Sequence, residues 1–103
     1  MADENVLLRE IQDGILTLTI NRPTALNCFN MPLLKLFGDT VAEIALDREV
    51  KVVIITGSTE GKNAFSTGAD LKERAGMSPE EVRLYIQTIR NVFTAVEEVP
   101  KPV

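Results

Sequence analysis

Hydrophobic and polar positions along this chain follow a period of two near its start and a helical period further on. Thr17 and Thr19 alternate with Leu16, Leu18 and Ile20, which predicts a strand over Ile15–Ile20 with one apolar face. A first strand over residues 6–10 precedes it across Asp13-Gly14, a pair that tolerates the positive φ of a tight hairpin turn. Asn21-Arg22-Pro23 forms a turn. Asn30 suits a helix N-cap and Pro32 a first helical turn. Leu34, Phe37, Val41 and Ile44 then recur at helical spacing to about Leu46, which predicts an amphipathic helix of roughly four turns. Residues 52–56 are short, β-branched and nearly all apolar, the pattern of a strand covered on both faces in a parallel sheet flanked by helices, and Gly57 ends it.

Residues 58–63 are polar or glycine, Ala64-Phe65 is apolar again, and the small-residue segment Ser66-Thr67-Gly68-Ala69-Asp70 follows. Asp70 is placed to cap a short helix through Leu71, Lys72, Glu73 and Arg74, which Gly76 stops. Ser78-Pro79-Glu80-Glu81 is a capping box with proline at the first helical position. Val82, Tyr85, Ile89, Val92, Phe93 and Val96 make one apolar face, best explained by core packing, on a helix that ends before Pro100. Val99-Pro100-Lys101-Pro102-Val103 reads as the approach to another strand. The order is β-β-α-β-loop-α-α without an internal repeat. Residues 1–103 are thus part of a single α/β domain, and they read as an unfinished fold.

Composition narrows the chemistry. The 103 residues hold 11 Lys+Arg against 15 Asp+Glu, a formal net charge of -4, no His and one Cys. A Ser–His–Asp triad, a Cys–His nucleophile, a tetrahedral zinc site and a disulfide framework cannot be assembled from that set. Scattered positive charge on an acidic chain gives no footprint for nucleic acid. The acidic start Met1-Ala2-Asp3-Glu4-Asn5 matches neither a signal nor a transit peptide, and the run Val52-Val53-Ile54-Ile55 is far short of a membrane span. These features predict a cytoplasmic protein with no membrane partner, in which Cys28 is an inert thiol in a reducing compartment.

Gly57-Ser58-Thr59-Glu60-Gly61-Lys62-Asn63 invites comparison with a phosphate-binding loop. It has three residues between its glycines instead of four, Asn63 where Ser or Thr would hold magnesium, and an acid inside, so a solvated turn is the better reading. Glu80-Glu81 and Glu97-Glu98 occupy adjacent helix positions that do not face each other, and the first pair serves the helix start. The segment Ser66-Thr67-Gly68-Ala69-Asp70 supports two readings. Small side chains around a glycine let a ligand approach the main chain, where an amide can stabilise an oxyanion; a plain strand-to-helix connection has the same composition.

Asn21-Arg22-Pro23-Thr24-Ala25-Leu26-Asn27, followed after a helix and a Val-Val-Ile-Ile-Thr-Gly strand by Ala64-Phe65-Ser66-Thr67-Gly68-Ala69-Asp70-Leu71-Lys72-Glu73, resembles the enoyl-CoA hydratase/isomerase (crotonase) family. Pro100-Lys101-Pro102-Val103 resembles the segment leading into that family's next strand. The resemblance covers essentially the whole chain but only the N-terminal part of a family member. It implies an N-terminal portion of a crotonase-like ββα spiral fold, incomplete as given, and a coenzyme A thioester as substrate with no further cofactor. It makes the Ala69 amide one of two donors to the thioester oxygen. It places Thr67, Gly68, Ala69, Asp70 and Leu71 along the acyl-CoA, with main chain at Thr67, Ala69 and Leu71 lining the adenine. Thr24, Ala25 and Leu26 then contact the pantetheine and phosphate portion; many relatives carry a basic residue where Thr24 stands.

The second amide donor and the acid/base carboxylates of the family lie further along than these residues. Losing one oxyanion donor typically costs roughly 3 to 4 kcal/mol of transition-state stabilisation, so the 103 residues alone are expected to be inactive. The expected partners are acyl-CoA, the downstream C-terminal half or another copy of the chain, and, for the complete protein, a trimer or pair of trimers. The alternative expectation is a non-catalytic interaction fragment, a truncated product whose apolar faces pair with another copy or with the missing half.

Overall fold

The computed structural model describes residues 5–60 and 64–103. The readings placed on Met1 to Glu4 and on Gly61-Lys62-Asn63 lie outside the described residues. Strand β1 (Leu7–Gln12) pairs antiparallel with β2 (Ile15–Ile20), and β2 pairs parallel with β3 (Val52–Gly57), giving one sheet in the order β1-β2-β3. The hairpin turn is Asp13-Gly14, with φ 53° and 81°, the doubly positive geometry that matches strand twist. A 3-10 turn at Pro23–Ala25 follows β2. Helix α1 (Met31–Leu46) crosses over to β3, and α2 (Leu71–Ala75) and α3 (Pro79–Glu98) complete an α/β arrangement.

The helix ends are those the residues specify. The Asn30 side chain accepts from the Leu33 N–H, Asp70 accepts from the Lys72 and Glu73 N–H groups, and Ser78 with Glu81 forms a complete capping box. Leu16, Leu18, Ile20 and Val53 line the inner face of the sheet, against which α1 buries Leu33, Leu34, Phe37, Val41 and Ile44. Tyr85 and Val92 bring α3 onto the same core. Phe29 binds the layers by edge-on ring contacts with Phe37 at 5.8 Å and with Phe93 at 5.3 Å, a favoured aromatic geometry.

Two expectations are corrected. β3 is not covered on both faces: it ends the sheet order, Val53 is buried, and Ile54 is 47% exposed. Successive strand side chains point to opposite faces, and among the described residues the helices lie on the inner one alone. The apolar run therefore signalled a hydrophobic outer face without a cover among these residues. On α3 only part of the expected stripe is core, since Phe93 is 45% exposed despite its contact with Phe29.

The last residues approach the free edge of β3. The Val53 N–H donates to the Pro102 carbonyl at 2.9 Å, and the Lys101 ammonium donates to the Ile44 and Asp47 carbonyls at the end of α1. A cation on those carbonyls, which also accept the Asp47 and Val50 N–H groups, complements the helix dipole. Among the described residues no helix is long and apolar enough to cross a membrane, and no group of three His, Cys, Asp or Glu side chains is placed to hold a metal ion.

Candidate functional site

Beyond the C-terminal ends of β2 and β3, the 3-10 turn and the loop before α2 lie side by side. Between them is an open cleft of about 540 Å³, walled by Thr24, Ala25 and Leu26 on one side and Thr67, Ala69 and Leu71 on the other. Arg22, Cys28, Asp70 and Lys72 complete its lining. The two motifs singled out in the sequence are therefore brought together, although about forty residues separate them. Gly68 belongs to the same loop without lining the cleft; its φ of +94° is the conformation that lets the chain reverse there.

The two walls are joined by an isolated parallel bridge between Phe29 and Ala69. The Phe29 N–H donates to the Gly68 carbonyl at 2.7 Å, and the Asp70 N–H donates to the Phe29 carbonyl at 3.1 Å. A trans peptide points its C=O and N–H in opposite directions, so a Gly68 carbonyl aimed at Phe29 turns the Ala69 N–H away from it. That N–H has no backbone acceptor among the described residues. Tyr85 reinforces the bridge from α3. Its hydroxyl accepts from the Asp70 N–H at 2.8 Å and donates to the Phe29 carbonyl, with the side chain 1% exposed. Burial pushes the Tyr85 hydroxyl up, so it remains a donor across the physiological range.

Asn27 holds the opposite wall. It is wholly buried, accepts from the Arg22 N–H through Oδ1 at 2.8 Å, and donates through Nδ2 to the Ser58 and Ala64 carbonyls at 3.2 and 2.7 Å. Its φ of 57° is one that asparagine tolerates better than most residues. Gly57 is needed where these segments converge. A Cβ there would stand 2.5 Å from the Phe65 carbonyl oxygen and 2.9 Å from Asn27 Nδ2.

Asp70 is the electrostatic hub. Its Oδ1 accepts from the Lys72 and Glu73 N–H groups at 3.1 Å, and its Oδ2 pairs with Arg22 Nη2 at 3.2 Å. Burial raises its pKa, but the Glu73 N–H and the Arg22 hydrogen bond and charge together outweigh that, leaving the carboxyl below its ordinary value. The Cys28 thiol lies against the same pair, 3.4 Å from Arg22 Nη1. Despite Arg22, burial and the Asp70 charge raise its pKa, which favours the protonated thiol.

Arg22, Asn27 and Tyr85 were not singled out by sequence reasoning as site residues. Arg22 and Asn27 flank the Thr24, Ala25 and Leu26 turn within the quoted motif, a signal that marked the segment without assigning the two side chains. Tyr85 was indistinguishable from a core residue on the apolar face of α3.

A family model described as enoyl-CoA hydratase/isomerase matches residues 10–103. The enoyl-CoA hydratase domain-containing protein 2, mitochondrial, of Bos taurus is 36% identical over 89 residues, covering 86% of this chain and 29% of its own. The short-chain-enoyl-CoA hydratase of Clostridium acetobutylicum is 39% identical over 99 residues, 96% of this chain and 37% of the relative. Among solved structures, the enoyl-CoA hydratase from Bacillus anthracis superposes with a TM-score of 0.90 at 34% identity, covering 96% of this chain and 38% of that one. The chain spans 29% and 37% of the length of these two curated relatives.

Proposed function

The chain belongs to the enoyl-CoA hydratase/isomerase family, and from that premise we propose that these residues form the acyl-CoA-binding N-terminal part of a hydratase or isomerase. The Ala69 amide is one of two donors to the thioester oxygen. The observation that carries this reading is the Ala69 N–H, held by its neighbours, without a backbone acceptor among the described residues, on the wall of a 540 Å³ cleft. Such an amide stabilises the enolate-like charge that forms when a proton moves next to a thioester, because its dipole needs no reorganisation during the reaction.

Thr24, Ala25 and Leu26 contact the pantetheine and phosphate portion, while Thr67, Gly68, Ala69, Asp70 and Leu71 follow the adenine and the thioester. The main chain does this work: the Asp70 carboxylate is committed to α2 and Arg22. The substrate is the coenzyme A thioester itself, with no additional cofactor. Residues 1–103 supply one amide donor and, by the family resemblance, neither the second donor nor the acid/base carboxylates, so alone they bind acyl-CoA weakly and turn nothing over. The whole protein acts in the cytoplasm as a trimer or pair of trimers.

Calorimetry with crotonyl-CoA and a hydration assay test this on two proteins: the 103 residues, and a chimera that adds the C-terminal remainder of the Clostridium acetobutylicum relative. Weak binding without turnover by the first, with both rising together in the second, is the expected result. Full turnover by the 103 residues alone would overturn it. The other reading, an interaction fragment, draws on the exposed outer sheet positions Leu8, Ile15 and Ile54; concentration-dependent self-association without acyl-CoA binding would favour it.

A further inference from the structure

The Arg22 guanidinium touches both segments of the Phe29–Ala69 bridge. Its Nη1 donates to the Cys28 carbonyl at 2.7 Å and its Nη2 to Asp70 Oδ2 at 3.2 Å. A planar guanidinium presents its donors in a rigid fork, so two such contacts fix both the spacing and the tilt of the segments they join. The Cys28 carbonyl is one end of a peptide whose other end, the Phe29 N–H, donates to the Gly68 carbonyl. The Gly68 carbonyl is in turn one end of the peptide that ends in the Ala69 N–H. Because each peptide is planar and trans, orientation set at the first carbonyl is passed to the last amide.

We propose that Arg22 is a positioning residue for the Ala69 amide, holding its direction through the Cys28–Phe29 peptide on one side and the Asp70 carboxylate on the other. The proposal rests on the acyl-CoA reading above. Arg22 acts through its neighbours: its side chain is 17% exposed, and its contacts with Cys28 and Asp70 direct both terminal nitrogens into the protein. Lysine is not equivalent at this position, since a single ammonium on a flexible stem does not reproduce the fork.

The test is nuclear magnetic resonance on the 15N-labelled 103-residue chain and on Arg22→Met and Arg22→Lys. Without ligand, Arg22→Met should speed exchange of the Phe29 and Asp70 amides by roughly tenfold or more, as expected for losing charge-assisted hydrogen bonds, and leave the β1–β2 hairpin amides unchanged. With butyryl-CoA, the downfield movement of the Ala69 amide expected of the wild type should be lost, while the shifts at Thr67 and Leu71 remain. Arg22→Lys should give intermediate exchange and a smaller Ala69 shift. An Arg22→Met protein with wild-type Phe29 exchange and a wild-type Ala69 shift overturns the proposal. If Arg22→Met does not fold, Arg22→Lys decides, and wild-type values for both readouts overturn it. If wild-type Ala69 does not respond to butyryl-CoA, the acyl-CoA reading fails, while the exchange rates without ligand still decide whether Arg22 holds the bridge.

Discussion

The core between β2 and α1 and the cleft beyond the ends of β2 and β3 are held by different forces. Leu18, Leu33, Leu34, Phe37 and Ile44 are fully buried, and apolar packing explains their arrangement. At the cleft, the turn containing Thr24, Ala25 and Leu26 and the loop containing Ala69 are joined by Arg22, Asn27, Asp70 and Tyr85, each hydrogen-bonding to main chain. The difference has a chemical cause. Apolar contacts fill volume but are non-directional, whereas a backbone amide that must point at a ligand is aimed by hydrogen bonds to the peptides beside it.

The sharpest break of this comparison is Phe37→Ala. It removes a core ring that packs edge-on to Phe29, and should lower stability by about 3–5 kcal/mol, read as a lower urea midpoint. Below the transition, residual acyl-CoA binding should be unchanged per folded molecule. Asn27→Ala is expected to cost about 2–3 kcal/mol, since it strands the part-buried Ser58 and Ala64 carbonyls and the Arg22 N–H. Unlike Phe37→Ala it should also weaken acyl-CoA binding, because the turn it anchors is a wall of the cleft. Equal behaviour of the two variants in calorimetry would erase the distinction between core and cleft.

Smaller changes sharpen it. Tyr85→Phe keeps the ring in the core and deletes the hydroxyl shared by Phe29 and Asp70, so it should cost about 1 kcal/mol. Its clearer signature is faster exchange of the Asp70 amide with the neighbouring core amides unmoved. The smallest effect is on pH dependence. The Asp70 carboxyl is depressed in the folded protein, so its contribution is present above the ordinary aspartate value of about 4 and is lost as pH falls through the lower folded value. Asp70→Asn should therefore flatten the acid limb of stability against pH, measured by thermal unfolding between roughly pH 5 and pH 2.

The sequence was informative wherever a local rule decides the outcome. The hairpin at Asp13-Gly14, the caps at Asn30, Asp70 and Ser78, and the helical spacing of Leu34, Phe37, Val41 and Ile44 all depend on residues a few positions apart. Exposure of Ile54 was not legible, because an apolar run does not say how many faces are covered. Nor were the roles of Arg22, Asn27 and Tyr85. Their cleft contacts span 48, 37 and 56 residues, to Asp70, Ala64 and Phe29, and only the folded chain brings those groups together. The motifs located the cleft, while the side chains that aim its main chain looked like turn or core residues.

The proposed role of the Ala69 amide as donor to a thioester oxygen is tested most directly by amide spectra of the 15N-labelled chain titrated with butyryl-CoA and, separately, with free coenzyme A. Both ligands should move the Thr67 and Leu71 resonances, and only the thioester should carry Ala69 downfield. Ala69 unmoved by butyryl-CoA while Thr67 and Leu71 shift, or Ala69 shifting equally with free coenzyme A, would contradict the assignment.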